Sequence, residues 1–521
     1  MIVTRRLFTS LAAAAVMTPV AIPAPAAKPA VATAAGRVRG RARGEVAEFL
    51  GLPYGGDTRA RRFQAPVKAA GWSGVREALA FGPECPQGAG GAGQGENCLV
   101  LNVWTPTLER GAKKPVLVYI HGGGYTSGSG ASPITDGAEL ARRGDVIVVT
   151  LNHRLNLFGH LFLGHLGDER FAVSGNAGLL DLVLALEWVR DNIAAFGGDA
   201  GCVTLFGQSG GGGKIATLMA MPAAKGLFHR VWTMSGQQVT AQGPRGATAR
   251  AKAFAEHLAM GADRLDALAA ERLLAGLAAK DPQIVGSRVY WGPVMDGFTL
   301  PVHPFWPEAP KQSASIPMVM GNTREETGSL IGEGDPSVWS LTWDTLPARL
   351  ERDMVTDIEV TDVIRTYRSL FPAITPTALF FKATTAGRSW RAQLIEAEAR
   401  AREQGPTWVY QLDFPSPREG GKFGAHHTLD IPLVFANTGA DGAQTGDGPG
   451  ARAVSLAMSE ALVRFARTGD PAGGAVGAWP RYDLNARATM LFDVDTRVEN
   501  DPRRMERELF AKAPYIQPGT Y

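Results

Sequence analysis

Cys202-Val203-Thr204-Leu205-Phe206-Gly207-Gln208-Ser209-Gly210-Gly211 runs from a short β-branched, apolar segment into a Gly-x-Ser-x-Gly pattern. Lys214-Ile215-Ala216-Thr217-Leu218-Met219 continues it with helix-forming residues. The first segment reads as a buried strand and the second as a helix. A serine on the sharp turn between them has its hydroxyl pushed into the open, and Gly207 and Gly211 leave room for the crowded backbone. The N–H of Gly210 then lies at a helix start, where unpaired donors favour negative charge. The five-residue pattern is weak alone, because glycine is abundant at 63 residues. Its strand-turn-helix setting makes it specific.

A second glycine cluster lies upstream. Val116-Leu117-Val118-Tyr119-Ile120 reads as another strand and ends in His121-Gly122-Gly123-Gly124-Tyr125. Ester hydrolysis passes through a tetrahedral oxyanion that needs preorganised donors, and losing one costs about 3–4 kcal/mol. Successive glycines let a main chain turn its N–H groups toward one point. Gly123, Gly124 and Gly210 are therefore the expected oxyanion donors.

A nucleophilic serine needs a base and an orienting acid. Together, the two glycine clusters suggest an α/β-hydrolase fold: a central, mostly parallel sheet with helices on both faces and large helical insertions. In that order of elements the acid follows the serine and the histidine follows the acid. Of nine histidines, His426 and His427 satisfy this with room for an intervening acid. Pro317-Met318-Val319-Met320-Gly321 reads as a late strand leading into Asn322-Thr323-Arg324-Glu325-Glu326-Thr327. A carboxylate there would emerge at a strand's C-terminal end, where chemistry sits in open α/β sheets.

The chain resembles the type-B carboxylesterases, from about Gly36 to near the C-terminus. The resemblance rests on Phe49-Leu50-Gly51-Leu52-Pro53-Tyr54, Glu96-Asn97-Cys98-Leu99-Val100-Leu101-Asn102-Val103-Trp104, the two glycine clusters, and Asn176-Ala177-Gly178-Leu179-Leu180-Asp181. Gly292-Pro293-Val294-Met295-Asp296-Gly297 and Phe465-Ala466-Arg467-Thr468-Gly469-Asp470-Pro471 extend it. The resemblance implies a serine esterase with Ser209 as nucleophile, Glu326 as acid and His427 as base, acting through an acyl-enzyme. It also implies a Cys85–Cys98 disulfide, structural ion pairs among Arg62, Glu96, Arg154 and Asp181, and support of the triad by Ser235. Such a bridge would stabilise by about 3 kcal/mol. The chain departs from the family with Gln208 and Gly210 around the serine, Asn97 before Cys98, and Thr327 after the acid. No triad member is lost.

Residues 1–26 read as an export signal. Arg5-Arg6-Leu7-Phe8 resembles a twin-arginine motif, a short apolar core follows, and Ala24-Pro25-Ala26 offers a cleavage site. Residues 27–35 read as an Ala/Pro-rich linker and 36–521 as the hydrolase domain. The chain is therefore expected to be periplasmic or secreted, with no run of membrane-spanning length beyond the leader. The net charge is +3, and losing Arg5 and Arg6 takes it to about +1. With no basic run interleaved with aromatics, this argues against nucleic acid as a partner. Metal-ligand spacing is missing, so no metal or cofactor is expected. A small ester is the expected partner. Lipase, polyester or toxin-ester hydrolysis on the same fold is the alternative, and a non-catalytic binding relative is a further one.

Overall fold

The structure, a computed structural model, describes residues 28–88 and 90–517. The expected leader lies outside them. The stretch expected to be a linker does not behave as one where it is described. Ala30–Ala32 pairs antiparallel with Arg37–Arg39, which pairs with Val75–Glu77 in a small three-stranded sheet. Val31 is buried against the main core. Three small residues give no alternation long enough to be read from sequence.

The second sheet carries the site. Its strands are β1 (Arg41–Arg43), β2 (Val46–Pro53), β3 (Val100–Thr105), β4 (Lys114–Ile120), β5 (Ile147–Leu151), β6 (Gly198–Gln208), β7 (Arg230–Met234), β8 (Met318–Thr323), β9 (Thr407–Leu412), β10 (Ala488–Phe492) and β11 (Arg497–Asn500). In space the order is β11-β10-β9-β8-β7-β6-β4-β5-β3-β2-β1. All neighbours from β10 to β5 run parallel, and both flanks are antiparallel. Parallel strands need covered faces, so their sequences read as continuous apolar runs. Within β4 the alternation is nevertheless visible. Val116, Val118 and Ile120 enter one core, whereas Leu117 and Tyr119 enter the other.

On the first face lie α1 (Ala177–Asn192) and α2 (Gly210–Leu218), which bury Leu179, Leu182 and Ile215. On the second face α4 (Pro449–Thr468) buries Val454, Met458, Leu462 and Phe465 against Trp232 and Trp408 of the sheet. A helical insertion between β8 and β9 has its own core, including Leu350, Val363, Tyr367, Phe380 and Trp390. The stretch Glu169–Phe196, which contains α1, is long and apolar enough to cross a bilayer, but 72 % of its most apolar window is packed inside the protein. Most of α1 is core, with only its last turn, at Arg190 and Asp191, reaching the surface.

Two buried ion pairs fasten the periphery. Arg154 donates from Nε and Nη2 to Asp181 at 2.9 and 2.7 Å. Arg62 grips Glu96 with both Nε and Nη2. Both match the structural pairs implied by the resemblance. The expected Cys85–Cys98 bridge is not made. Both are buried thiols, and a hydrogen bond with Cys85, ahead of burial, pushes the Cys98 thiol well up. The two sulfurs are thus neighbours in the reduced state. Cys202, half-buried on β6, is also a thiol.

Candidate active site

The register of the parallel strands sets their C-terminal ends level. Gln208 of β6 lies opposite Met234 of β7, which lies opposite Gly321 of β8. The chain continues past each end under tension. Ser209 has φ 55° and ψ −128°, and its N–H donates to Met234 O at 2.7 Å. Ser235 has φ 48°, and its N–H donates to Gly321 O at 2.7 Å. Positive φ at a residue with a Cβ costs about 1–3 kcal/mol, and such strain concentrates at functional sites. Ser209 is half-exposed although the strand before it is buried.

Glycine is obligatory at this turn. A Cβ on Gly211 would sit 2.0 Å from Ile120 O, and one on Gly207 would meet both Gly211 C and Ile120 O at 2.8 Å. The strand end and the helix start therefore touch backbone to backbone. Gly211→Ala should destabilise the protein by about 3 kcal/mol or more, because neither carbonyl can move away. Thermal unfolding measures this, and an unchanged melting temperature would contradict the close approach.

The residues expected as acid and base come from the next strand ends. Glu326 opens the short helix α3 (Glu326–Leu330) just after β8. Its Oε1 accepts from Ser235 Oγ at 2.5 Å, Thr323 N at 2.7 Å and Asn322 Nδ2 at 3.2 Å, and its Oε2 faces His427 Nδ1 in a very short contact. Burial pushes this carboxyl up, but the His427 partner and the donated hydrogen bonds outweigh it and hold it below the ordinary 4.5. His427 follows β9, on a loop clipped to the acid. Glu325 N donates to Ala425 O at 2.9 Å, and Ala425 N returns a bond to Glu325 Oε2 at 3.1 Å. His426 turns its Nδ1 to the His427 carbonyl at 2.8 Å. The structure thus brings together Glu326 and His427 and gives Glu325 the task of holding the histidine loop. Thr327, a departure from the family, ties α3 to the insertion: its Oγ1 donates to Phe381 O at 3.0 Å.

Among the described residues no hydrogen bond joins Ser209 Oγ to His427. The neighbouring Gln208 amide lies 3.2 Å from His427 Nε2 and 3.4 Å from Nδ1. The His427 ring therefore lies beside Gln208, the residue that precedes Ser209.

The glycine loop after β4 faces the same turn. A Cβ on Gly122 would lie 3.2 Å from Ser209 Cβ. Gly122 O is held by His121 Nδ1 at 2.9 Å, and Gly123 O accepts from Thr126 N and Ser127 N, both at 3.1 Å. A trans peptide points its N–H opposite its carbonyl. With those carbonyls turned inward, the N–H groups of Gly123 and Gly124 point away from the loop, and both residues are exposed.

Two residues beside the site had no functional reading in the sequence. Asp430 is fully buried three residues after His427. Burial, and then the charge of Glu326, push its carboxyl up to about 7, and Tyr410 OH donates to it at 2.9 Å. Lys214, in the first turns of α2, is fully buried under the glycine loop. A lysine on a glycine-rich, core-facing helix was the available signal. A cavity of about 350 Å³ lined by Arg143, Glu460, Arg464 and Arg467 shares no residue with the serine turn and offers no nucleophile-base pair.

The carboxylesterase of Geobacillus stearothermophilus superposes with a TM-score of 0.83 at 35% identity, covering 92% of this chain and 99% of that one. The architecture is the α/β-hydrolase fold. The chain belongs to the carboxylesterase family, whose model, described as "Carboxylesterase family", matches residues 27–511. It is similar to the para-nitrobenzyl esterase of Bacillus subtilis (strain 168), 37% identical over 486 residues, with 89% of this chain and 94% of that protein covered. It is also similar to the phenmedipham hydrolase of Pseudarthrobacter oxydans, at 34% identity with 85% and 90% covered. The protein is a carboxylic ester hydrolase.

Proposed function

We propose that the ester is cleaved by Ser209 through an acyl-enzyme, with His427 as base and Glu326 as its orienting acid. The observation that carries this reading is the contact of the ionised Glu326 with His427 Nδ1, beside Gln208 and the strained turn that bears Ser209. A carboxylate on Nδ1 leaves Nε2 as the proton acceptor. Ser209 Oγ bonds to the ester carbon as its proton passes to Nε2. The carbonyl electrons collect on oxygen, facing the N–H groups of Gly123, Gly124 and Gly210. The C–O bond to the alcohol then breaks, and His427 returns the proton to that oxygen. Water then bonds to the acyl carbon as its proton passes to His427, the bond from that carbon to Ser209 Oγ breaks, and His427 returns the proton to Oγ, freeing the acid. The expected substrate is a small carboxylic ester.

The compartment and redox state belong to the same proposal. The Arg5-Arg6-Leu7-Phe8 leader would route the chain to an oxidising compartment. There the adjacent thiols of Cys85 and Cys98 would close as the disulfide.

Pre-steady-state hydrolysis of p-nitrophenyl esters, acetate to palmitate, tests the mechanism. A burst of one p-nitrophenol per protein, followed by slower turnover, is expected with the shorter acyl chains. Turnover without any burst at any chain length or pH, joined to insensitivity to serine-directed inhibitors, would overturn the acyl-enzyme. A long-chain optimum would favour the lipase reading.

A further inference from the structure

Lys214 has an unusual position for a cation. Its side chain is completely buried, and among the described residues no carboxylate pairs with it. Its Nζ donates instead to two main-chain oxygens of the glycine loop, Gly124 O at 2.8 Å and His121 O at 3.1 Å, and it lies 5.5 Å from the centre of the Tyr125 ring. The residue five positions before it is Ser209. One side chain therefore joins the helix that starts at the serine to both ends of the loop that faces it.

We propose that Lys214 is a positioning residue for the oxyanion site: its ammonium clamps the His121–Gly124 loop onto α2 and so aims the Gly123 and Gly124 N–H groups. The inference rests on the catalytic reading above and extends it to a residue that touches no substrate.

A second, independent contact supports the clamp. A Cβ on Gly210 would fall 2.1 Å from Gly124 O, so only glycine lets that carbonyl lie across the helix start, within reach of Nζ. Gly210 and Lys214 thus serve one loop position. Hydrogen bonds from a charged donor are about twice as strong as neutral ones, and the low dielectric strengthens them further.

The surroundings make the clamp titratable. From the end of β4 comes His121, and from the end of β5 comes His153. Their rings stack at 4.8 Å. His160 packs edge-on against Tyr125 at 5.0 Å. Burial first, then the charge of Lys214, brings His121 down to about 3, and burial brings His160 to about 3 and His153 well below its ordinary value. All three are neutral at physiological pH. Arg154, the next cation, is engaged by Asp181. Burial alone lowers Lys214 from 10.5 to about 7. The clamp therefore gains charge as pH falls below neutrality and weakens as pH rises through it, when the neutral amine keeps fewer and weaker donors.

The test compares wild type, Lys214→Met and Lys214→Arg. For wild type, kcat/KM for a p-nitrophenyl ester should carry an alkaline limb above about 7. Lys214→Met should lower kcat about tenfold to a hundredfold, with KM within a few-fold and that limb absent. Lys214→Arg, permanently charged, should also lack the limb. A merely structural lysine would not move the pH profile. Should either variant fail to fold, amide exchange in wild type gives the same answer. After correction for intrinsic rates, protection over residues 121–127 should fall between pH 6 and 9. A Lys214→Met enzyme with wild-type kcat and an intact alkaline limb would overturn the proposal. So would exchange protection independent of pH. The exchange result needs no turnover, so it judges the clamp even if the Ser209 mechanism fails.

Discussion

Ser209→Ala should leave a folded protein whose ester hydrolysis is slower by about 10⁴-fold or more. The size of the effect follows from the division of labour at the site. Without Oγ there is no acyl-enzyme, and what remains is binding plus the oxyanion donors, which supply a small fraction of the acceleration. Folding should survive, because Ser209 contributes backbone rather than side chain to the turn: its N–H holds Met234 O and its carbonyl accepts from Gly213 N at 3.1 Å. Alanine also tolerates φ 55° no worse than serine does, so no new strain is added. Circular dichroism and thermal unfolding alongside initial rates make the check. A folded Ser209→Ala protein with substantial esterase activity would place the nucleophile elsewhere.

Glu326→Gln should be nearly as damaging, at about 10³- to 10⁴-fold in kcat with little change in KM. The carboxylate accepts the Nδ1 proton of His427 and leaves Nε2 free as a base. A glutamine that keeps its bonds from Ser235, Thr323 and Asn322 through its carbonyl oxygen presents its NH₂ to Nδ1. Two donors cannot face each other, so the imidazole takes the other tautomer and Nε2 carries the proton. The same substitution carries a stability signature. Glu326 is held below its ordinary 4.5, so its ionised form stabilises the fold above that pH, and the contribution disappears as pH falls through the lower, folded-state value. Acid unfolding of Glu326→Gln should accordingly be less steep than that of wild type. A variant with wild-type kcat and an identical acid-unfolding curve would show that this carboxylate neither orients the base nor titrates with folding.

The parts of this arrangement that could be read from sequence are those made by consecutive residues. The serine turn is written in ten consecutive positions, and the apolar run of β4, well upstream in sequence, pairs directly with the β6 that leads into it. The acid and base were harder. Glu325 and Glu326 are adjacent, as are His426 and His427, and the choice depends on how two loops meet after β8 and β9. That meeting, made by the Glu325 N–H on Ala425 O and the Ala425 N–H on Glu325 Oε2, is a contact between segments 100 residues apart. No local pattern encodes it. The resemblance supplied the choice, and in the structure it is Glu326 rather than Glu325 that contacts His427 Nδ1.

Other features were hidden for different reasons. Lys214 and Asp430 look like ordinary surface charges until the fold buries them, since burial is a property of what packs over a residue. The short strand Ala30–Ala32 is too brief to show an alternating pattern. The long apolar stretch that contains α1 carries no amphipathic face, because the sheet covers one side and surface elements cover the other. In each case the missing information was tertiary.

Labelling with a fluorophosphonate, followed by peptide mapping, tests the central claim most directly. One probe per chain on Ser209, at a rate that falls sharply in Glu326→Gln, is the expected result. Labelling of a different residue, or none on a folded wild-type protein that still hydrolyses esters, would contradict the assignment of Ser209 as the nucleophile.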